Sequence, residues 1–318
     1  MRILVTGISG FVGPRLARHL LERGDQVSGT FLVDRPRFDG VEDVRLFEAD
    51  LLDAEAVRRA VREAAPEAVV NLAGLSHVGE SWKRMGDYFR VNVLGTENVL
   101  AACSAGGIPV VVASSAEVYG LVPEDEQPIA EHRQVDPRTP YALTKAAAER
   151  LAVARGAVVA RAFNLVGPGQ APTFALPTFA QQLAAIQRAG SAGSSGSARE
   201  PVLRVGNLSA RRDFVHVDDG AAAFRLLAEK GEPGGIYNIA SGRALSISEA
   251  LERLMAVSGV AARVEEDPER MRPVDLPLLL GDASRLRALG WQPARSVDDA
   301  LSALWTDTLG CAPLSDRL

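Results

Sequence analysis

Tyr141 and Lys145 stand four residues apart in Tyr-Ala-Leu-Thr-Lys, a spacing that sets a proton donor beside a positive charge. Positions i and i+4 share one face of a helix, so phenol and ammonium project together. A free phenol titrates near pKa ~10, and a neighbouring cation favours the phenolate and lowers that value. Ser114 and Ser115 come earlier in the chain, directly after the apolar run 109–113. A hydroxyl at that point can orient a carbonyl or an alcohol while the tyrosine gives or takes its proton. Ser115, Tyr141 and Lys145 therefore suit chemistry at a carbon–oxygen bond.

The elements needed to pose this set are legible around it. Thr139 and Pro140 read as an N-cap and a first helical turn. Helix formers then run through Arg155 and stop at Gly156. Residues 109–113 form a Val-Val-Val strand, and ligands of open parallel sheets bind beyond the carboxyl ends of such strands.

A glycine loop supplies the partner for this chemistry. Gly7, Gly10 and Gly13 are spaced GxxGxxG, with Phe11 and Val12 between the last two. The loop lies between a strand at 2–6 and a helix at 11–23. Such a loop lets a pyrophosphate approach the helix N-terminus. We expect a nicotinamide dinucleotide here, with hydride transfer as the reaction type. NAD-binding versions carry an acid at the tip of the second strand. Here that strand ends Ser-Gly-Thr30-Phe, and Asp34 follows late, between Arg35 and Arg37. This favours NADP over NAD, with Arg35 accepting the extra phosphate. Asp50 and Leu51, after the third strand, are expected near the adenine. Leu72, Ala73 and Gly74, after the fourth, are expected along the pyrophosphate and ribose.

Strand and helix patterns alternate through the first half: strands at 3–5, 26–31, 44–48, 68–71, 109–113 and 157–162, with helices at 54–64 and 88–105 among them. This argues for an α/β fold with a doubly wound parallel sheet. Residues 1–165 are expected to form the dinucleotide domain, with 212–240 returning to it. Residues 166–211 and 241–318 are expected to form a smaller C-terminal α/β substrate lobe. Helices are expected at 246–257 and 297–304, an irregular path after Asn164, and a Gly/Ser-rich surface loop at 190–197. A net charge of −5 argues against bulk attraction to nucleic acid or membrane. Cys103 and Cys311, the two cysteines, have no metal-site spacing. Met1 runs straight into a strand, and no apolar run is long enough to span a bilayer. The expectation is a soluble cytoplasmic protein without a metal site.

In order along the chain, the glycine loop, Asn-Leu-Ala-Gly at 71–74, Ser-Ser-x-x-Val-Tyr-Gly, Tyr-x-x-x-Lys and Arg-x-Phe-Asn164 resemble the extended short-chain dehydrogenase/reductase family, in its nucleotide-sugar branch. The likeness implies a Rossmann domain and a dimer through a four-helix interface. Finer stretches resemble the GDP-mannose 4,6-dehydratases and their reductase relatives: Ser76-His77-Val78, the run from Phe163 to Gln170, Val205-Gly-Asn-Leu, Arg212-Asp-Phe and the segment 267–273. They imply a GDP-sugar substrate touched by Ser76, His77, Ser115, Glu117, Asn164, Gln181, Val205, Arg212 and Arg272, with the two arginines on the diphosphate. The implied reaction is NAD(P)H-dependent reduction of the C4 ketone of GDP-4-keto-6-deoxy-D-mannose to GDP-D-rhamnose.

Residues 115–117 separate this reaction from its relatives. Dehydratases resemble Thr-Asp-Glu or Thr-Ser-Glu there, whereas this chain has Ser-Ala-Glu. Alanine donates no proton, so the elimination machinery is incomplete. Glu117 keeps a dehydratase or a decarboxylase open, and Ser-Ala also fits an epimerase. A binding protein that senses NADP without catalysis has no need of the tyrosine. Leu165 and Gln181 depart from the pattern, standing where reductases tend to show His and where a basic residue would reach the nucleotide.

Overall fold

The computed structural model describes residues 1–33, 35–38, 40–191, 200–271 and 275–310. Asp34, Arg272, Cys311 and residues 192–197 of the Gly/Ser stretch lie outside the described residues. The first half alternates β1 (Arg2–Thr6), α1 (Gly13–Glu22), β2 (Gln26–Phe31), β3 (Arg45–Glu48), α2 (Ala54–Ala64), β4 (Ala68–Asn71), α3 (Val78–Ser81), α4 (Met85–Phe89), α5 (Gly95–Ser104), β5 (Val110–Ser115), α6 (Pro140–Ala154) and β6 (Val158–Ala162). The second half holds β7 (Asn164–Val166), α7 (Ala175–Ser191), β8 (Val202–Val205), β9 (Arg211–His216), α8 (Val217–Lys230), β10 (Ile236–Ile239), β11 (Ala244–Ser246), α9 (Ile247–Ser258), β12 (Arg263–Glu266), β13 (Leu278–Leu279), α10 (Ser284–Ala288) and α11 (Val297–Gly310).

Seven strands form one sheet in the order β10-β6-β5-β4-β1-β2-β3, and every pairing within it is parallel. Consecutive strand residues point to opposite faces, and β1 shows what that does here. Ile3 and Val5 join a core containing Leu16 and Leu20 of α1 and Phe224 of α8. Leu4 joins a separate core with Val57 and Val61 of α2 and Val99 of α5. Apolar residues on both faces require helices on both faces, so the expected doubly wound sheet is what the chain forms. The strand order reverses at β1, between β2 and β4, which opens the crevice where ligands of such sheets bind.

A second sheet runs β11-β9-β13, with β7 also paired to β9, and β12 pairs with β8. Its core lies between α7, α9 and α11 and includes Leu183, Leu254, Leu301 and Trp305. In the segment 212–240, β10 joins the main sheet and α8 packs on α1, whereas β9 centres the smaller sheet.

Two elements differ from expectation. Residues expected to be irregular after Asn164 contain the long helix α7. Its apolar spacing at Leu176, Phe179, Ala180, Leu183 and Ala184 is helical. The expected single helix over 88–105 is divided: α4 passes through a π-helical turn, Arg90–Leu94, into α5. Asn92 explains the wider turn. It is buried, and its side chain pairs with both backbone groups of Leu75.

Candidate active site

The α6 helix begins as its sequence requires. The Thr139 hydroxyl accepts from the Ala142 N–H at 3.1 Å, and Pro140 occupies the first turn. Tyr141 and Lys145 thereby face the end of β5. Ser115, extended at the strand's tip, accepts a 3.2 Å hydrogen bond from the Glu117 N–H and starts the 3-10 turn Ala116–Tyr119. Tyr141 is buried and lines the same cavity as Ser115. The Lys145 ammonium donates to the Ala113 carbonyl oxygen at 2.9 Å.

The electrostatics depart from expectation at one point. Burial raises the Tyr141 pKa above its ordinary value, the Ser115 hydrogen bond opposes the rise, and the Glu117 carboxylate adds to it. The expected lowering by Lys145 does not enter. The ammonium is turned to Ala113, and burial brings its own pKa down to about 8 against the pull of Glu149.

A cavity of about 760 Å³ contains Ser115, Glu117, Tyr141 and Lys145, together with Gly7, Gly10, Phe11, Val12, Gly13, Leu72, Gly74, Ser76 and Asn164. The residues fit a dinucleotide. The α1 N-terminus opens here without a side-chain cap and without an acid in its first turn, an arrangement that suits a phosphate. A Cβ at Gly10 would lie 3.2 Å from the Gly7 carbonyl oxygen, a close contact with backbone. Gly7 differs, because its φ is +66° and a Cβ there would lie 2.7 Å from the Ala73 backbone. Ala73 is thus the close-packed neighbour of the loop. Arg15, Arg18 and Arg37 bring positive charge to the same cavity.

Several expected contacts lie elsewhere. Arg35 is exposed and is absent from the cavity wall, where Arg37 stands instead. Thr30 is buried beneath the glycine loop, within 3.4 Å of the Gly7 N–H. Asp50 turns back to the Leu52 N–H at 2.9 Å, and Leu51 is a core residue under the sheet. Asp50 is exposed and Leu51 buried, and neither lines the cavity.

A second cavity, of about 410 Å³, is lined by His77, Asn164, Asn207, Arg212, Arg270 and Asp275, among others. It shares Asn164, Leu165, Gln170 and Phe174 with the first. Arg212 is buried and already engaged: it donates to the Leu276 carbonyl oxygen at 2.6 Å and to Asp275 at 2.5 Å. Val205 is wholly buried in the lobe core, and Gln181, half-buried on α7, lines neither cavity. Arg272 lies outside the described residues, and Arg270 is the arginine of that segment on the wall.

Sequence reasoning passed over two supporting residues. Asn92 also donates to the Thr144 hydroxyl at 2.9 Å, which ties the loop after β4 to α6. Tyr88 stands edge-on to Tyr141 with ring centroids 6.4 Å apart, and its hydroxyl donates to the His77 carbonyl oxygen at 2.7 Å. Asn92 lies in the π-helical turn and Tyr88 in α4 just before it, and no local pattern announces such a turn.

Residues 4–304 match the GDP-mannose 4,6 dehydratase family. The chain is 34% identical over 315 residues to the GDP-6-deoxy-D-mannose reductase of Pseudomonas aeruginosa, covering 96% of each. The structure of RMD from Pseudomonas aeruginosa complexed with NADPH is similar at TM-score 0.81 and 31% identity, over 98% of this chain and 99% of that one. The UDP-glucose 4-epimerase of Thermus thermophilus, in complex with NAD, is similar at TM-score 0.85 and 31% identity, over 98% and 100%. With its glycine loop, its Ser115–Tyr141–Lys145 set and a match that spans nearly its whole length, the chain belongs to the GDP-mannose 4,6-dehydratase family, in the nucleotide-sugar branch of the extended short-chain dehydrogenase/reductases.

Proposed function

We propose that this protein is an NADPH-dependent reductase of the C4 ketone of GDP-4-keto-6-deoxy-D-mannose, forming GDP-D-rhamnose. The observation that carries the reading is the cavity that gathers Ser115, Tyr141 and Lys145 at the end of β5, with Ala116, the middle residue of 115–117, buried and without a proton to give. Reduction needs a proton donor for the oxygen that receives charge. A dehydratase adds an elimination step, which needs a further acid/base pair beside the sugar. Ala116 is buried and offers no group for elimination.

NADPH, when bound, supplies the hydride. Gly10, Phe11, Val12, Leu72 and Gly74 would hold its pyrophosphate and ribose, Lys145 its nicotinamide ribose, and Arg37 its extra phosphate. Ser115 orients the ketone oxygen and Tyr141 protonates it. The second cavity takes the nucleotide, with Arg212 and Arg270 toward the diphosphate. The reductase likeness at 34% identity and the NADPH in the similar RMD structure support this assignment.

A second reading, GDP-mannose 4,6-dehydratase, is favoured by one observation: Glu117 lines the same cavity as Tyr141. Incubation with GDP-mannose and NADP, without added reductant, separates the two. A 4-keto product means a dehydratase; the reductase reading expects none.

The same reading makes the enzyme a homodimer in the cytoplasm. Exposed Met85, Phe89, Leu94 and Leu143 supply apolar surface along the α4–α5 stretch and α6 beside it, the pair of helices a four-helix interface would use. Light scattering at micromolar concentration tests this, and a monomeric mass would reject it. No helix of the described residues is long and apolar enough to cross a membrane.

A further inference from the structure

Gln170 lines both cavities. Its side-chain amide is fixed in orientation, because Nε2 donates to the Leu165 carbonyl oxygen at 3.0 Å. The opposite end is therefore an acceptor. That Oε1 is shut off from solvent and has no hydrogen-bond partner, and among the described residues no other buried side-chain nitrogen or oxygen is left so. Proteins seldom leave such an atom unmatched.

Looseness does not explain the orphan. The turn before Gln170 is held at both ends. The Gly169 N–H donates to Asp307 of α11 at 2.9 Å, and the Gln170 N–H reaches the Gly167 carbonyl oxygen at 3.4 Å. Asp307 itself lines the catalytic cavity. The amide is thus carried on a braced loop and set where the two cavities meet.

We infer that Gln170 is a specificity-determining residue whose Oε1 accepts a hydrogen bond from a hydroxyl of the substrate's hexose. The inference rests on the GDP-sugar reading above. The reacting ketone belongs beside Tyr141 and Ser115, and the diphosphate toward the arginines of the second cavity. The unit between them is the hexose, and Gln170 is on the wall they share. An amide oxygen demands a donor. A ketone and a fully ionised diphosphate have none, whereas the C2 and C3 hydroxyls of a 4-keto-6-deoxyhexose both donate.

The test compares affinities for GDP, GDP-mannose and NADPH in the full-length protein and in Gln170→Met, which keeps the length and removes the acceptor. The expected result is about tenfold weaker GDP-mannose binding, the size of one lost buried hydrogen bond, with GDP and NADPH unchanged. Unchanged GDP-mannose affinity would overturn the inference. So would a loss confined to NADPH, which would assign the amide to the cofactor's carboxamide. Should Gln170→Met fold poorly, the unaltered protein still decides, through GDP-2-deoxymannose and GDP-3-deoxymannose. One of them must bind about tenfold more weakly than GDP-mannose; equal binding of all three rejects the contact. Failure of the GDP-sugar reading looks different, since the unaltered protein would then bind no GDP at all.

Discussion

Lys145 and Glu149 stand one turn apart on α6 and do not pair. The ammonium donates to Ala113, while Glu149 takes the Arg161 guanidinium through bonds of 3.0 and 2.7 Å and the Ser114 hydroxyl at 2.5 Å. Ser114 lies between the residue that holds Lys145 and the one that meets Tyr141. The buried Glu149–Arg161 pair thus anchors the end of β5 at the point from which both catalytic partners are presented.

This arrangement sets a pH dependence. Burial holds Lys145 at about 8, with Glu149 acting to raise it. The ammonium is complete below that pH and is lost as pH rises through it, so NADPH affinity falls above pH about 8. Glu149→Gln removes the favourable charge and moves the fall to lower pH. Fluorescence titration of NADPH across pH checks this, and an unmoved profile rejects the coupling. The variant also leaves Arg161 without its anion, which costs about 3–5 kcal/mol, so its melting temperature drops.

Tyr141→Phe keeps the ring that packs against Tyr88 and removes the proton. Turnover falls by roughly 10²–10⁴ while NADPH affinity is retained. Steady-state rates beside a cofactor titration separate the two effects; a loss of binding instead would make Tyr141 a cofactor ligand first.

Glu117→Gln separates the two readings of the site. A reductase keeps most of its rate, because Tyr141 supplies the proton. A dehydratase that uses Glu117 as its base loses roughly 10²–10⁴ in rate. Assays on the ketosugar and on GDP-mannose measure both.

The glycines of the loop should behave differently from one another. Gly7→Ala forces a side chain into a left-handed conformation against Ala73, at a cost of about 1–3 kcal/mol in stability. Gly10→Ala makes one close backbone contact, with the Gly7 carbonyl oxygen, and carries no left-handed strain, so it lowers the melting temperature less than Gly7→Ala, while NADPH affinity drops by at least about tenfold through the displaced pyrophosphate. Thermal melts and titrations on the two variants test the division; equal destabilisation would contradict it.

Arg37 and Arg35 make a parallel pair. Arg37→Ala weakens NADPH by about 1.5–3 kcal/mol, the worth of a hydrogen bond to a charged group, and leaves NADH unchanged. Arg35→Ala changes neither. Selectivity that follows Arg35 would return the phosphate to that residue.

What the sequence revealed depended on how local each signal is. The α6 cap, the glycine loop and Ser115 are each written within a few neighbouring residues, and the sheet follows from apolar runs. α2 appears at its expected bounds, Ala54–Ala64, because Asp53 caps it by accepting from Glu55 and Ala56. α7 is hidden despite its apolar spacing, because Pro168 and Pro172 precede it and Pro177 stands in its first turn. Asn92 and Tyr88 are not legible, since their partners Leu75, Thr144 and Tyr141 are remote in sequence or brought close only by the fold. The direction of the Tyr141 pKa is the reverse of expectation for the same reason: i and i+4 spacing sets Lys145 on the same helix face, but burial outweighs it and the ammonium turns to the Ala113 carbonyl oxygen.

Reduction of a 4-keto GDP-sugar is tested most directly by one assay. The purified protein is mixed with GDP-4-keto-6-deoxymannose and NADPH, and the nicotinamide absorbance is followed. Loss of the NADPH signal in proportion to ketosugar consumed, abolished by Tyr141→Phe, is the predicted result. A steady signal from protein shown to bind NADPH and GDP would contradict it.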